Sequence, residues 1–251
     1  MTSPRKARAA APLTAGALAA GLLAGAALGS APAANANCFS AFGLGASATC
    51  TSTLFSVAIA IGTNAEAHAD GLFGAAFTVG DASYAETKDA FSFGTNFGTN
   101  GEADGDGLFG IAISLGNNGQ AVTLGSGKLG NLGFNIAVNV SRSNAVPTGT
   151  TVYAAGIGNV AVNLFGGGTG AGDNQANAFG ALNVAAVVGG RNNTARAGNN
   201  VTGGTLDTAF VVFGKDNDVT ADPGPLAIAG SIGQTGQTVT KSGPGINITG
   251  V

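Results

Sequence analysis

From residue 54 onward the chain is written in short runs of alternating small and apolar residues, each closed by a glycine and a polar turn. The clearest copy is Ser56-Val57-Ala58-Ile59-Ala60-Ile61-Gly62, followed by Thr63-Asn64 and the alternating Ala65, Ala67 and Ala69. Further copies begin at Phe77, Phe91 and Ile111, and looser ones at Val160, Val184 and Phe210. A period of two predicts strands. Alternation such as Val57, Ile59 and Ile61 sends one set of side chains inward, and Ala at inward positions keeps each coil narrow. Gly followed by Asn or Asp supplies residues that tolerate positive φ, so the chain can turn a corner after each strand. Gly and β-branched residues interrupt every candidate helical window.

The runs recur at a supersecondary spacing. Two copies share the entry Gly-Leu-Phe-Gly, at Gly71 to Gly74 and Gly107 to Gly110. With Gly62, Gly80, Gly94 and Gly116 as anchors the steps are 18, 14 and 22 residues; Gly166, Gly189 and Gly214 lie 23 and 25 apart. Units this short cannot bury their own faces and stack on one another. The predicted class is all-β, a parallel β-solenoid (β-roll or β-helix) of imperfect 14–25 residue repeats, with an irregular β-sandwich as the alternative. Stacked Asn side chains are expected to hydrogen-bond along the axis.

Composition narrows the function classes. Only 9% of the 251 residues are charged, 44 are Gly, and the net charge is −3. A hydrophobic fraction of 45% argues against disorder. Without a run of Lys or Arg beyond the first eight residues, the electrostatic footprint of nucleic-acid binding is missing. The chain after residue 36 has no apolar run long enough for a membrane-spanning helix.

The N-terminus carries Arg5, Lys6 and Arg8, then an Ala/Gly/Leu-rich stretch and the small-x-small triplet Ala34-Asn35-Ala36, the pattern of a secretory signal peptide cleaved after Ala36. Export makes a disulfide between Cys38 and Cys50, the only two cysteines, the natural reading. Such a loop contributes about 3 kcal/mol in the chain-entropy account. The expected organisation is a signal peptide (1–36), a disulfide-stapled cap (37–53), solenoid repeats (54–221) and a Pro/Gly-rich C-terminal coil and tail (222–251).

The segment from Ser56 to Gly62 with Ala65, Ala67 and Ala69 resembles the head repeats of trimeric autotransporter adhesins, a likeness that covers residues 54 to 122. It implies a parallel β-roll and binding to host or matrix surfaces. The chain as a whole is similar to uncharacterised exported Ala/Gly/Asn-rich proteins of mycobacteria and related actinobacteria, which implies a location outside the cytoplasm.

Candidate chemistry is sparse. Glu102, Asp104 and Asp106 alternate with Gly and Ala and are candidate calcium ligands. The glycine run from Gly166 to Asp173 is similar to a calcium-binding nonapeptide, in a single copy. His68, the only histidine, lies between Glu66 and Asp70 at a spacing that puts all three on one strand face, though a solvated turn edge is the commoner meaning of such a group. One His and two oxidised Cys assemble no nucleophilic triad, and no cofactor is expected. The reading is a secreted or cell-envelope structural or interaction protein without evident catalysis. Adhesin-like binding of a host or matrix surface and a β-helix carbohydrate-active enzyme are the alternatives.

Overall fold

The computed structural model describes residues 37–45, 47, 49–123, 133–141, 150–166, 174–198, 204–222 and 224–250. The signal-peptide segment and residues 167–173 of the second glycine run lie outside the described residues. The strands in chain order are β1 (Cys38–Ala41), β2 (Cys50–Ser52), β3 (Val57–Ile61), β4 (Glu66–Ala69), β5 (Ala75–Val79), β6 (Tyr84–Thr87), β7 (Phe93–Phe97), β8 (Glu102–Ala103), β9 (Ile111–Leu115), β10 (Gln120–Ala121) and β11 (Ile136–Ser141). They continue as β12 (Thr150–Val152), β13 (Val160–Gly166), β14 (Asn174–Ala176), β15 (Val184–Arg191), β16 (Thr194–Ala197), β17 (Thr208–Lys215), β18 (Asp218–Ala221), β19 (Ala227–Ile232), β20 (Thr238–Lys241) and β21 (Gly245–Thr249).

These strands form a parallel β-solenoid. Odd-numbered strands make one 11-stranded sheet in sequence order. Even-numbered strands make two 5-stranded sheets, β2 to β10 and β12 to β20, joined in line by the bridges Gly119 to Thr150 and Val122 to Tyr153. Each coil thus contributes one strand to a long wall and a shorter one to the wall opposite. Every pairing is parallel except β1 on β3, where the chain reverses over the first coil. Cys38 and Cys50 are disulfide-bonded, with Cα atoms 5.8 Å apart, and so tie β1 to β2. The solenoid continues through β19, β20 and β21 to Thr249.

The repeat is more regular than its sequence suggests. Val57, Ala75, Phe93 and Ile111 are in register, 18 residues per coil. Ile136, Val160, Val184 and Thr208 follow at 24. The anchor in the third coil is Gly98, and Gly94, chosen from sequence, is an inward strand residue paired with Ala76 and Ala112. Gly62, Gly80, Gly98 and Gly116 all have positive φ, and a Cβ on any of the first three would lie about 2 Å from the backbone carbonyl oxygen of the next glycine in the column. Only glycine permits coils to nest this closely. Behind each comes a residue in the left-handed region, Asn64, Ala82, Asn100 and Asn118.

The inward set is the alanine one. Ala58 and Ala60 are fully buried, while Val57, Ile59 and Ile61 point outward, Ile61 being 46% exposed. In register, the inward column runs Ala58, Ala76, Gly94, Ala112, Ala137, Ala161, Ala185, Ala209, Ala229. Ala67, Ala85, Ala103 and Ala121 form a matching column on the opposite wall. Two walls lined with methyl groups leave no room for Ile or Phe between them, and a packed interior does not accept the extra volume.

The second inward column of the long sheet is polar for much of its length, with Thr78, Asn96, Ser114, Asn139 and Asn163 all fully buried. These side chains span the core at its corner. Thr78 Oγ1 lies 2.6 Å from Ser83 Oγ, Asn96 donates to the Gly101 carbonyl at 3.0 Å, and Asn163 donates to the Asn174 carbonyl at 3.1 Å.

Asparagine also stacks at two corners. Asn135, Asn159, Asn183 and Asp207 each accept, through Oδ1, the backbone N–H of the equivalent residue one coil on, at 2.9–3.0 Å. Asn174, Asn193 and Asn217 form a second ladder, at 3.2, 3.2 and 2.9 Å. Hydrogen bonding along the axis agrees with the expectation from sequence. Its main form is side chain to backbone, and it satisfies buried N–H groups that no strand partner reaches.

Candidate interaction surface

Because alanine and small polar residues fill most of the interior, the large apolar side chains of the long sheet face out, with the buried Val187 and Val211 as exceptions. Outward sets are Val57, Ile59 and Ile61; Ala75, Phe77 and Val79; Phe93, Thr95 and Phe97; Ile111, Ile113 and Leu115; Ile136, Val138 and Val140; Val160, Val162 and Leu164. In the ten strands of this sheet after β1, the only charged residues are Arg191 and Lys215, which end β15 and β17 and pair in register. The face is therefore apolar and free of charge across its strands.

The opposite wall carries the charge. Glu66, His68, Glu86, Glu102, Arg196, Asp218 and Lys241 belong to its strands β4, β6, β8, β16, β18 and β20. Thr51, Gln175, Thr194, Thr220 and Thr240 are partly or fully exposed on the same wall. The solenoid is amphipathic across its thickness. A sequence signal for this existed in the alanine at every second strand position, the residue small enough to be shared by two walls.

One edge of the apolar face is built up further. Phe55, Phe73, Phe91, Phe109 and Phe134 stack coil on coil, with ring centroids 5.3, 5.2, 5.2 and 4.6 Å apart. Leu182, Leu206 and Leu226 are exposed at turns of later coils. Phe73, Phe91, Leu182, Leu206 and Leu226 all adopt positive φ near 60°, a conformation that costs a non-glycine residue about 1–2 kcal/mol. Since the phenyl faces are occupied by one another, the stack presents ring edges to solvent.

The sequence-derived sites sit on the charged wall. His68 Nδ1 lies 2.8 Å from Thr51 Oγ1, and Thr51 reaches Asp70 at 3.5 Å. His68 Nε2 is 3.7 Å from Glu66 Oε2, beyond hydrogen-bonding distance, and the imidazole leans on Tyr84 with centroids 5.9 Å apart. The three residues do share a face, with Thr51 hydrogen-bonded to His68 and Asp70 and with Glu66 beside the imidazole.

Glu102, Asp104 and Asp106 lie at the end of β8 and in the segment after it. Among the described residues no group of three or more His, Cys, Asp or Glu side chains is placed to hold a metal ion. Burial, reinforced by Asp106 and Glu86, pushes the Asp104 carboxyl up to about 7. Burial also raises Asp106, against the pull of Lys88, which forms a 2.9 Å ion pair with Glu86.

A carboxyl whose pKa is higher in the folded chain than in the unfolded one stabilises fully below the unfolded value, and that contribution is lost as pH rises through the folded value. The melting temperature is therefore expected to fall between pH 5 and pH 8, and Asp104→Asn is expected to flatten this slope. Thermal melts across that range check it, and an unchanged slope in the variant would overturn the assignment to Asp104.

No helix among the described residues is long and apolar enough to cross a membrane. Compared with known proteins, the chain matches no family model, no curated protein and no solved structure.

Proposed function

We propose that the chain is a structural or interaction protein of the secreted or cell-envelope class, a stiff rod that presents its polar wall to solvent and docks through its apolar one. The observation that carries this reading is the segregation of charge onto one wall and large apolar side chains onto the other. A contiguous apolar surface rimmed by polar residues marks an interaction site. Supporting it, the described interior is filled by alanine, valine and small polar side chains, so the large apolar side chains are left for the outer face. The export pattern at residues 1 to 36 and the disulfide agree with a location outside the cytoplasm.

Fractionation of expressing cells tests the proposal. The chain is expected outside the cytoplasm, beginning at Asn37, and any envelope-bound fraction is expected to be released by detergent but not by salt, since apolar contacts are not screened. Cytoplasmic recovery with residues 1 to 36 intact, or release by salt alone, would overturn it.

A further inference from the structure

We infer that the occupant of the apolar wall is a second copy of the same chain, packed sheet face against sheet face. This inference rests on the docking role proposed above and names the partner.

Size is the first argument. Ten strand spacings of about 4.8 Å and strands of about five residues at about 3.3 Å each make a face of about 800 Å². Two such faces together bury about 1,600 Å², within the range of a standard, stable protein–protein interface. Exposed apolar patches of monomeric proteins are mostly smaller, about 300–600 Å².

Chemistry is the second. A charge-free face leaves no buried ion unpaired when it meets its own copy, whereas a partner with charged groups would strand them there. Branched side chains such as Ile113 and Val138, standing in in-register rows, offer ridges and grooves that a like face can fill, as the inner faces of two stacked sheets do. Arg191 with Asp216 and Lys215 at the ends of the longer strands form a polar rim beside this core.

A lipid surface fits less well. Proteins that lie on membranes combine an apolar face with Lys and Arg for anionic headgroups and with interfacial Trp. Here the net charge is −3 and Trp is absent.

The test measures mass in solution. By light scattering coupled to gel filtration, the purified disulfide-bonded chain is expected to run at a multiple of its own mass. Val138→Asp, on the outward face of β11 at the middle of the long sheet, is expected to shift it to monomer mass with an unchanged β-sheet circular dichroism spectrum. Glu102→Lys on the opposite wall is expected to leave the oligomer intact. As a measurement independent of that variant's folding, Val138→Cys under oxidation is expected to give a covalent dimer, and Thr151→Cys, on the charged wall, to give none.

A wild-type chain that is monomeric at about 100 μM, an oligomer that survives Val138→Asp, or a Val138→Cys chain that yields no cross-link would overturn the inference. Flotation with neutral phosphatidylcholine vesicles separates this failure from that of the docking role. A monomer that floats, and loses flotation on Val138→Asp, overturns self-packing and keeps the apolar wall as the docking surface. A monomer that neither floats nor responds to Val138→Asp overturns both.

Discussion

Gly80→Ala is expected to unfold the central coils or to lower stability by about 4 kcal/mol or more, a loss of the kind tied to strain at a special backbone position. Gly80 has φ +141°, and its missing Cβ would stand 1.9 Å from the Gly98 carbonyl oxygen and 2.6 Å from the carbonyl carbon. Neither atom can retreat. The Gly98 N–H donates to the Val79 carbonyl at 2.9 Å, and the parallel register on both sides holds the coil spacing. Gly233→Ala supplies the comparison, because Gly233 also has positive φ (+64°) but no heavy atom within 4 Å of the new Cβ. It is expected to lose only the conformational part, about 1–2 kcal/mol. Urea titration of the two variants measures the difference, and a Gly80→Ala midpoint equal to that of Gly233→Ala would show that coil nesting does not depend on the glycine column.

Asn183→Ala carries the second large effect, about 3 kcal/mol. Asn183 is fully buried, accepts the Asp207 N–H at 2.9 Å and donates to the Gly204 carbonyl at 2.9 Å. Alanine orphans the Asp207 N–H, a buried unpaired donor that costs about 1–3 kcal/mol, and removes one of two bonds from the Gly204 carbonyl, which keeps the Ala181 N–H at 3.2 Å. In an array where each coil touches only its neighbours, the weakened interface also uncouples the later coils from the earlier ones. Asn192→Ala, nine residues on, removes a 2.7 Å bond from an exposed turn to Asp216 and puts Ala at a positive φ, and is expected to cost about 1 kcal/mol. Denaturant melts of the two variants check the contrast, and similar losses for both would sink the ladder as a main support.

Much of the fold was legible along the chain. Period-two alternation identified strands, Gly-Asn and Gly-Asp turns identified corners, and their recurrence identified stacking, all because these are local demands of the backbone that neighbouring residues satisfy. The 18-residue register was blurred because glycine does two jobs. Gly98 nests coils, whereas Gly94 stands in the alanine column, and in sequence the two look alike. The cysteines were readable as a pair because no other cysteine exists.

The candidate surface was less legible. Glu66, His68 and Asp70 do gather on one wall with Thr51, whose part in the group depends on register between β2 and β4, seventeen residues apart. The stacked phenylalanines needed the spacing of five turns, 18 residues in three steps and 25 in the last, so no single period in the sequence reveals them.

The sequence by itself determined that this chain would form short, recurring strands with corners at glycine, because dihedral preference and alternation are properties of adjacent residues. It left open which of the two alternating sets would lie inside, since a period of two describes both faces equally well. Tertiary structure decided that. Two walls brought face to face by one coil accept only side chains that fit between them, so Ala58 and Ala60 went in and Val57, Ile59 and Ile61 were turned out. The apolar wall, the most prominent surface of the protein, is a consequence of that choice.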